Sequence, residues 1–398
     1  ATASAMHPEL KLQPSHHRRV RAGHPWVFSN EVVMDAAAKA LPQGGVVRLV
    51  AANGEPLGLA TFNAHTLIAA RVLTRNSDEA IDASFFATRL AAAVKLRERL
   101  HPGGFYRLIH AEADGLPGLI VDRYGDVLVA QLNTAGMEAL RPILVAALDA
   151  ALSPRAIVLR NDSPSRQLEG LPLKVEMLRG PLPADLPVHE NGCRFFADLG
   201  EGQKTGWFFD QRENRAMMAA FASGARVLDM YAYAGGFGVL AAQRGAAEVT
   251  LVDRSERGIA LASHAAEINE VTPRCRFVKG EAFMELERLA GQGARFDVVI
   301  ADPPAFVKSK KDLGPGARGY RKLARLAARV VAPGGFLFIA SCSHHVDMPL
   351  FAEQVARGLD DGERTGRILR STGAAADHPV HPHLPESAYL KGQLLQLD

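Results

Sequence analysis

Two side chains in the C-terminal half have types and settings suited to covalent chemistry on a flat heteroaromatic ring. Cys342 stands in Ser341-Cys342-Ser343, directly after the apolar run Gly335–Ala340. A thiol with a pKa of ~8.5 is only slightly ionised at neutral pH, yet its thiolate is the strongest nucleophile among side chains. Asp302 stands in Ala301-Asp302-Pro303-Pro304-Ala305-Phe306, after the apolar run Val298–Ala301. Two consecutive prolines fix the turn, so the carboxylate is held at a strand tip and Phe306 is offered as a stacking surface for a flat base.

The elements that must position these residues follow from the pattern around them. From about Val188 strands alternate with helices, the signature of a parallel sheet covered on both faces. The strands are expected at Arg226–Met230, Glu248–Val252, Cys275–Lys279, Asp297–Ala301 and Gly335–Ser341. The helices are expected near Gly238–Gln243, Arg257–Asn269, Phe283–Ala290, Tyr320–Val331 and Pro349–Leu359. In such sheets the ligand lies beyond the carboxyl ends of the strands, and several chemically capable residues fall there.

The first of these strands contains Asp229 and leads to Ala234-Gly235-Gly236-Phe237-Gly238, where backbone could approach a ligand or a helix could pack closely. Asp253 ends the second, 24 residues after Asp229, near the spacing at which an acid meets the ribose hydroxyls of an adenosine cofactor. After the third comes Glu281, which could accept from an adenine amine and reads equally well as a helix N-cap. Cys193 and Cys275 read as inert small hydrophobes.

Upstream, short apolar runs at Val46–Ala51, Leu57–Phe62 and Leu67–Leu73, split by turns such as Asn53-Gly54, predict a small β module over residues 7–75. Its flank His16-His17-Arg18-Arg19-Val20-Arg21 is basic, with Trp26 close behind. Residues 76–187 predict a mixed α/β middle domain, with helices at Phe85–Leu100 and Met137–Leu152 and a Pro-rich far edge around Pro181–Pro187. Residues 188–398 form the third domain.

Apolar residues make up 47% and charged residues 22% of the 398-residue chain, and no run reaches the ~18 apolar residues of a membrane span. Met6 reads as the natural start behind a short extension, without the basic-then-apolar pattern of a secretory signal. Three scattered cysteines fit a reducing, cytoplasmic setting. The net charge of +3 does not specify a polyanionic partner, so any argument for one has to come from local clustering. Lys308, Lys310, Lys311, Arg318, Arg321, Lys322 and Arg325 are opposed within their own segment only by Asp312. Lys308, Lys310 and Lys311 follow Phe306 directly, and Gly314, Gly316 and Gly319 would let the segment close over a polyanionic ligand, although a solvated lysine loop competes with that reading. His378, His381 and His383 alternate with prolines and read as loop residues, so no metal site is expected.

Gly202-Gln203-Lys204-Thr205-Gly206-Trp207-Phe208-Phe209-Asp210-Gln211-Arg212-Glu213-Asn214-Arg215, Asp302-Pro303-Pro304-Ala305-Phe306 and Ser341-Cys342-Ser343 together resemble the class I S-adenosylmethionine-dependent 23S rRNA (cytosine-5) methyltransferases with an N-terminal PUA domain. His24-Pro25-Trp26-Val27-Phe28 resembles the opening of that RNA-binding PUA domain, and Asp114-Gly115-Leu116-Pro117-Gly118-Leu119 with Asp122-Arg123-Tyr124-Gly125 resembles the family's middle domain. The resemblance implies a PUA β-barrel, a mixed α/β domain and a Rossmann-like methyltransferase domain. It implies S-adenosylmethionine as cofactor, with Asp229, Tyr233, Gly235 and Phe237 around the methionine and sugar, Asp253 on the ribose and Glu281 and Ala282 by the adenine. The Gln203–Arg215 stretch, Gln211 included, would lie over the methyl donor and the entrance, and Asp302 would also border the cofactor. Two features depart from the wider pattern: the Asp302 motif carries no second cysteine, and His344-His345-Val346 stands where Gly-Leu-Met is common.

Methylation of cytosine carbon 5 would then use Cys342 as nucleophile toward carbon 6, with Asp302 on the base edge and Phe306 stacking. Lys308, Lys310, Lys311, Arg18 and Arg19 would hold the RNA, whose target base must leave its stack or be single-stranded. A purine amine or ring-nitrogen methyltransferase, with a structural Cys342, is the competing enzyme, and an inactive RNA-binding assembly factor is the competitor from another class. The expected partner is rRNA, with no membrane; the sequence is compatible with a homodimer without specifying one.

Overall fold

The computed structural model describes residues 6–200 and 206–398, so Gly202, Gln203, Lys204 and Thr205 lie outside the described residues. The chain forms two units: one runs to Pro183 and takes in Asp377–Pro385, and the other holds Ala184–Asp198, Phe208–Ala376 and Glu386–Asp398.

The first unit begins with a five-stranded sheet of β1 (Glu9–Lys11), β2 (Trp26–Phe28), β3 (Val46–Val50), β4 (Pro56–Phe62) and β5 (Ile68–Thr74), in the order β1-β3-β4-β5-β2. An antiparallel bridge between Leu12 and Val32 draws the two edges together, so the sheet curls around Leu10, Val27, Val47, Leu49, Ala60 and Phe62. A second sheet contains β6 (Phe105–His110), β7 (Leu119–Tyr124), β8 (Val127–Leu132), β9 (Ala156–Asn161) and β10 (Lys174–Arg179), in the order β10-β9-β8-β7-β6. The β8–β9 pair is parallel and therefore needs a crossover, which the helix Arg141–Leu152 supplies. Helix Ala83–Leu100 starts where the Asp82 side chain accepts from Phe85 N at 3.1 Å, and it buries Phe86, Leu90, Ala93 and Arg97 at helical spacing. The fully buried Arg97 is tolerable because Asp114 receives it bidentately at 2.6 and 2.7 Å.

The second unit opens with the hairpin β11 (Leu186–Glu190) and β12 (Cys193–Ala197). Its main sheet comprises β13 (Arg226–Met230), β14 (Glu248–Asp253), β15 (Cys275–Lys279), β16 (Phe296–Ala301), β17 (Val331–Ser341), β18 (Gly366–Thr372) and β19 (Lys391–Leu397). The order is β15-β14-β13-β16-β17-β19-β18, and β19 alone is reversed, running antiparallel to both its neighbours, β17 and β18. Strand order reverses between β13 and β16, which puts the topological switch point between Asp229 and Asp302. This is the doubly wound, Rossmann-like sheet expected from the alternation.

The helix expected to start at Tyr320 starts at Leu313, which corrects the reading of its glycines. Gly316 and Gly319 are not hinges: a Cβ on Gly316 would collide with Val307 and the Phe306 carbonyl, and one on Gly319 would stand 3.0 Å from the Phe306 ring. They are glycines so that the helix can lie against the turn after Asp302. No helix among the described residues is long and apolar enough to cross a membrane.

Candidate active site

Carboxylates meet at the carboxyl edge of β13, β14 and β16. Asp229 is buried and its Oδ2 accepts from Gly238 N at 2.8 Å. Burial pushes its pKa up to about 8, a rise that the Asp302 and Asp253 charges reinforce and that the Gly238 N–H and Arg215 oppose. The loop after β13 holds Tyr231, Tyr233 and Gly235 at φ of 61°, 45° and 84°, so two bulky residues sit in left-handed backbone. Asp253 braces this loop: its Oδ2 accepts from Tyr233 N at 2.8 Å and its Oδ1 from Ser255 N at 2.7 Å. Each oxygen retains a lone pair for a further donor.

The glycine run is explained by packing. A Cβ on Gly235 would stand 2.8 Å from Val239, on Gly236 2.8 Å from Arg215, and on Gly238 2.7 Å from Leu251. Phe237 is buried, with its ring 5.7 Å from Phe338 and the Arg215 guanidinium 5.9 Å above it, so the ring belongs to the core. Glu281 takes the N-cap alternative: its oxygens accept from Phe283 N at 3.1 Å and Met284 N at 2.9 Å, starting the helix Ala282–Gly291. Ala282 is the buried first residue of that helix.

Gln211 reaches across the second unit to Asp302, Nε2 donating to Oδ1 at 2.9 Å. Asn214 Nδ2 donates to Gln211 Oε1 at 2.7 Å, which orients the amide. Arg215, next along, is locked to the buried Glu190 at 2.7 and 2.8 Å. Burial, with the neighbouring Asp210 carboxylate adding to it, raises Asp302 to about 7 against the pull of Arg215 and Gln211.

Cys342, half-buried at the end of β17, lies against the Asp302 turn, with Sγ 4.0 Å from the Pro303 carbonyl oxygen. Ser343 and Tyr320 knit the two turns together. Val307 N donates to Ser343 Oγ at 3.2 Å, Phe306 N to Tyr320 Oη at 3.3 Å, and the two hydroxyls are 2.6 Å apart. Phe306 differs from its expected role: its ring packs on Tyr320 at 4.6 Å and Phe283 at 6.1 Å instead of standing clear for a base. Cys193 and Cys275 are pushed up to about 11 by burial, leaving them unreactive.

Two neighbours, Tyr389 and Lys391, were not singled out from the sequence. Tyr389 Oη donates to Asp210 Oδ2 at 2.5 Å, and the His344 ring stacks on Tyr389 with centroids 5.2 Å apart. Lys391 is buried with its ammonium on the carbonyls of Ser343, at 2.6 Å, and Tyr389. The available signal was a lysine inside the strand-like run Leu390–Leu397. Lys308, Lys310 and Lys311 are exposed just beyond Phe306, the latter two in a short turn before the helix. Arg321 is engaged by Asp361 at 2.6 Å, and Lys322 lies over the Phe283 ring. Arg18 and Arg19 belong to the first unit, where Arg19 pairs with Glu31 at 2.5 Å and lies over Phe28.

A family model described as S-adenosylmethionine-dependent methyltransferase matches residues 137–369, and a PUA-like domain model matches residues 10–75. A protein from Streptococcus mutans assigned as a SAM-dependent methyltransferase superposes with a TM-score of 0.80 at 20% identity, over 98% of this chain and all of the other. A methyltransferase solved in complex with SAH gives 0.82 at 21% identity, with the same coverage. The chain belongs to the S-adenosylmethionine-dependent methyltransferases and uses that cofactor.

Proteins named ribosomal RNA large subunit methyltransferase I are similar along the full length. That from Shewanella amazonensis is 39% identical over 388 residues, covering 96% of this chain and 98% of its own. That from Pseudoalteromonas atlantica is 35% identical over 396 residues, covering 98% and 100%. Within the methyltransferases, the chain belongs to this ribosomal RNA large subunit methyltransferase I family.

Proposed function

We propose that this protein methylates carbon 5 of a cytosine in large-subunit ribosomal RNA through a covalent adduct on Cys342. The relatives' names and the PUA-like domain support an rRNA substrate, and a ribosomal substrate supports a cytoplasmic setting. The chemistry rests on one observation above others, the contact of Cys342 Sγ with the turn that carries Asp302.

The residues present suit S-adenosylmethionine. Its hydrogen-bond donors are an ammonium, a ribose diol and an adenine amine, and the edge of β13 and β14 offers the acceptors Asp229 and Asp253, with left-handed backbone at Tyr233 and Gly235 between them. Asp229 would hold the amino acid end and Asp253 the ribose, beside the loop of Tyr233 and Gly235. Ala282 borders the adenine, with Glu281 engaged as the helix cap. The bound cofactor supplies an electrophilic sulfonium methyl group.

Cytosine carbon 5 is a poor nucleophile, and the Cys342 thiolate remedies this by bonding to carbon 6, which pushes electron density onto carbon 5. Asp302, oriented by Gln211, donates or shares a proton at N3 as charge develops there. Once carbon 5 carries the methyl group it loses its proton to a base, the sulfur–carbon 6 bond breaks and the thiolate is regenerated. Lys308, Lys310 and Lys311 hold phosphates beside the target, and Arg18 and Arg19 hold RNA on the first unit. The engaged ring of Phe306 favours a structural role for that residue.

Mass spectrometry of rRNA nucleosides from a strain lacking this gene tests the reading. Loss of one 5-methylcytosine from the large-subunit RNA is expected. Loss of a methylated purine would contradict it in favour of the amine or ring-nitrogen chemistry, and an unchanged nucleoside profile would favour an assembly factor.

A further inference from the structure

Lys391 is the first residue of β19 and pairs in antiparallel register with Ser341, the residue before Cys342. Its ammonium donates to the carbonyl of Ser343, the residue after Cys342, at 2.6 Å, and to that of Tyr389. Lys391 is therefore held to both flanks of the cysteine, by its backbone beside Ser341 and by its ammonium on Ser343. Lys391 is only 5% exposed, and among the described residues no carboxylate bonds to it. The titratable groups that face it are Cys342 and, from the N-cap of the helix Met348–Asp361, Asp347. Tyr320, across the Ser343 hydroxyl, faces the cysteine from the helix Leu313–Ala328; burial raises its pKa and keeps it neutral.

Burying an ammonium on carbonyls alone is unfavourable relative to water. A methionine or glutamine would fill the same place without that cost, so the retained charge needs a use. The reaction needs an anion at one nearby atom, the Cys342 sulfur. We propose that the Lys391 ammonium is the counter-cation of the Cys342 thiolate, a positioning residue that sets the acidity of the nucleophile. This rests on Cys342 acting as nucleophile. The thiol gives its proton to solvent, Lys391 keeps its three, and the charge of the ammonium on the neighbouring Ser343 carbonyl stabilises the resulting sulfur anion. The pair then matches at neutral pH, because burial lowers Lys391 to about 8, with Cys342 and Asp347 acting against that fall, and the ammonium remains the dominant form.

The test is the pH profile of Cys342 alkylation by iodoacetamide in the full-length protein, read site by site by peptide mass spectrometry. Wild type is compared with Lys391→Met and Lys391→Gln, with S-adenosylmethionine binding as the control for folding. A nearby opposite charge moves a pKa by about 1–3 units, so alkylation at pH 7 should slow about 10-fold or more in both variants. The wild-type midpoint should fall below the ~8.5 of a free thiol. Superimposable profiles would overturn the proposal. If neither variant folds, a wild-type midpoint at or above the free-thiol value overturns it alone. Alkylation reads the ion pair and a 5-fluorocytidine trap reads the nucleophile. Shifted profiles without trapping therefore refute the cytosine reading, and trapping with unshifted profiles refutes the lysine's role.

Discussion

Gln211 and Asp302, 91 residues apart in sequence, are joined by a 2.9 Å hydrogen bond that leaves only one oxygen of the carboxyl without this partner. The stretch beginning at Phe208 and the Asp-Pro-Pro turn are thereby one device: the helix start aims an amide, the amide aims a carboxyl, and the turn that carries the carboxyl touches the thiol. The hydrogen bond and Arg215 hold Asp302 down, yet burial and Asp210 still raise it to about 7.

That elevation fixes the sign of a stability effect. An Asp with a folded pKa near 7 and an unfolded value of ~3.9 binds its proton more tightly when folded. Its contribution is complete below about pH 4 and is lost as pH rises through about 7. Asp302→Asn should therefore melt higher than wild type at pH 8.5, with the difference shrinking toward pH 5, while methylation is lost. Thermal melts across that range check this; parallel curves would mean that Asp302 is not held neutral.

Asp253 should dominate cofactor affinity. Losing a charge-assisted hydrogen bond costs ~1.5–3 kcal/mol, so Asp253→Ala should weaken S-adenosylmethionine about 10- to 150-fold by calorimetry. Since Asp253 also holds Tyr233 N, part of that loss would come from the loop. Unchanged affinity in a folded variant would remove the residue from the site.

The lysines after Phe306 should appear in the salt dependence of RNA binding. Each phosphate neutralised on single-stranded RNA contributes ~0.7 to the slope of log affinity against log salt. Replacing Lys308, Lys310 and Lys311 by glutamine should flatten the slope by about 2 and leave cofactor affinity as it was. A wild-type slope in the triple variant would make these lysines solvated surface and move the RNA contact to Arg18 and Arg19.

The parallel core of the second unit was legible because its strands are buried on both faces and read as unbroken apolar runs between helical periods. β18 was not: it is the edge strand, nearly every residue is exposed, and its sequence carries no burial pattern. β19 was hidden because Lys391 and Gln393 are buried polar residues within it. At the candidate site, types and spacing singled out Cys342, Asp302, Asp229 and Asp253, which all lie at or next to strand ends. Glu281 and Gly319 were ambiguous from spacing alone, since a cap and a ligand acid look alike, as do a hinge and a packing glycine. Their neighbours, Met284 N and the Phe306 ring, decide the matter only in three dimensions.

The central claim is the covalent bond between Cys342 and a cytosine, and trapping measures it most directly. RNA carrying 5-fluorocytidine at the target should hold wild-type protein in a complex that survives a denaturing gel, because fluorine cannot leave carbon 5 as a proton does. Cys342→Ala should neither trap nor methylate while still binding S-adenosylmethionine. A Cys342→Ala protein that methylates at the wild-type rate would contradict the account.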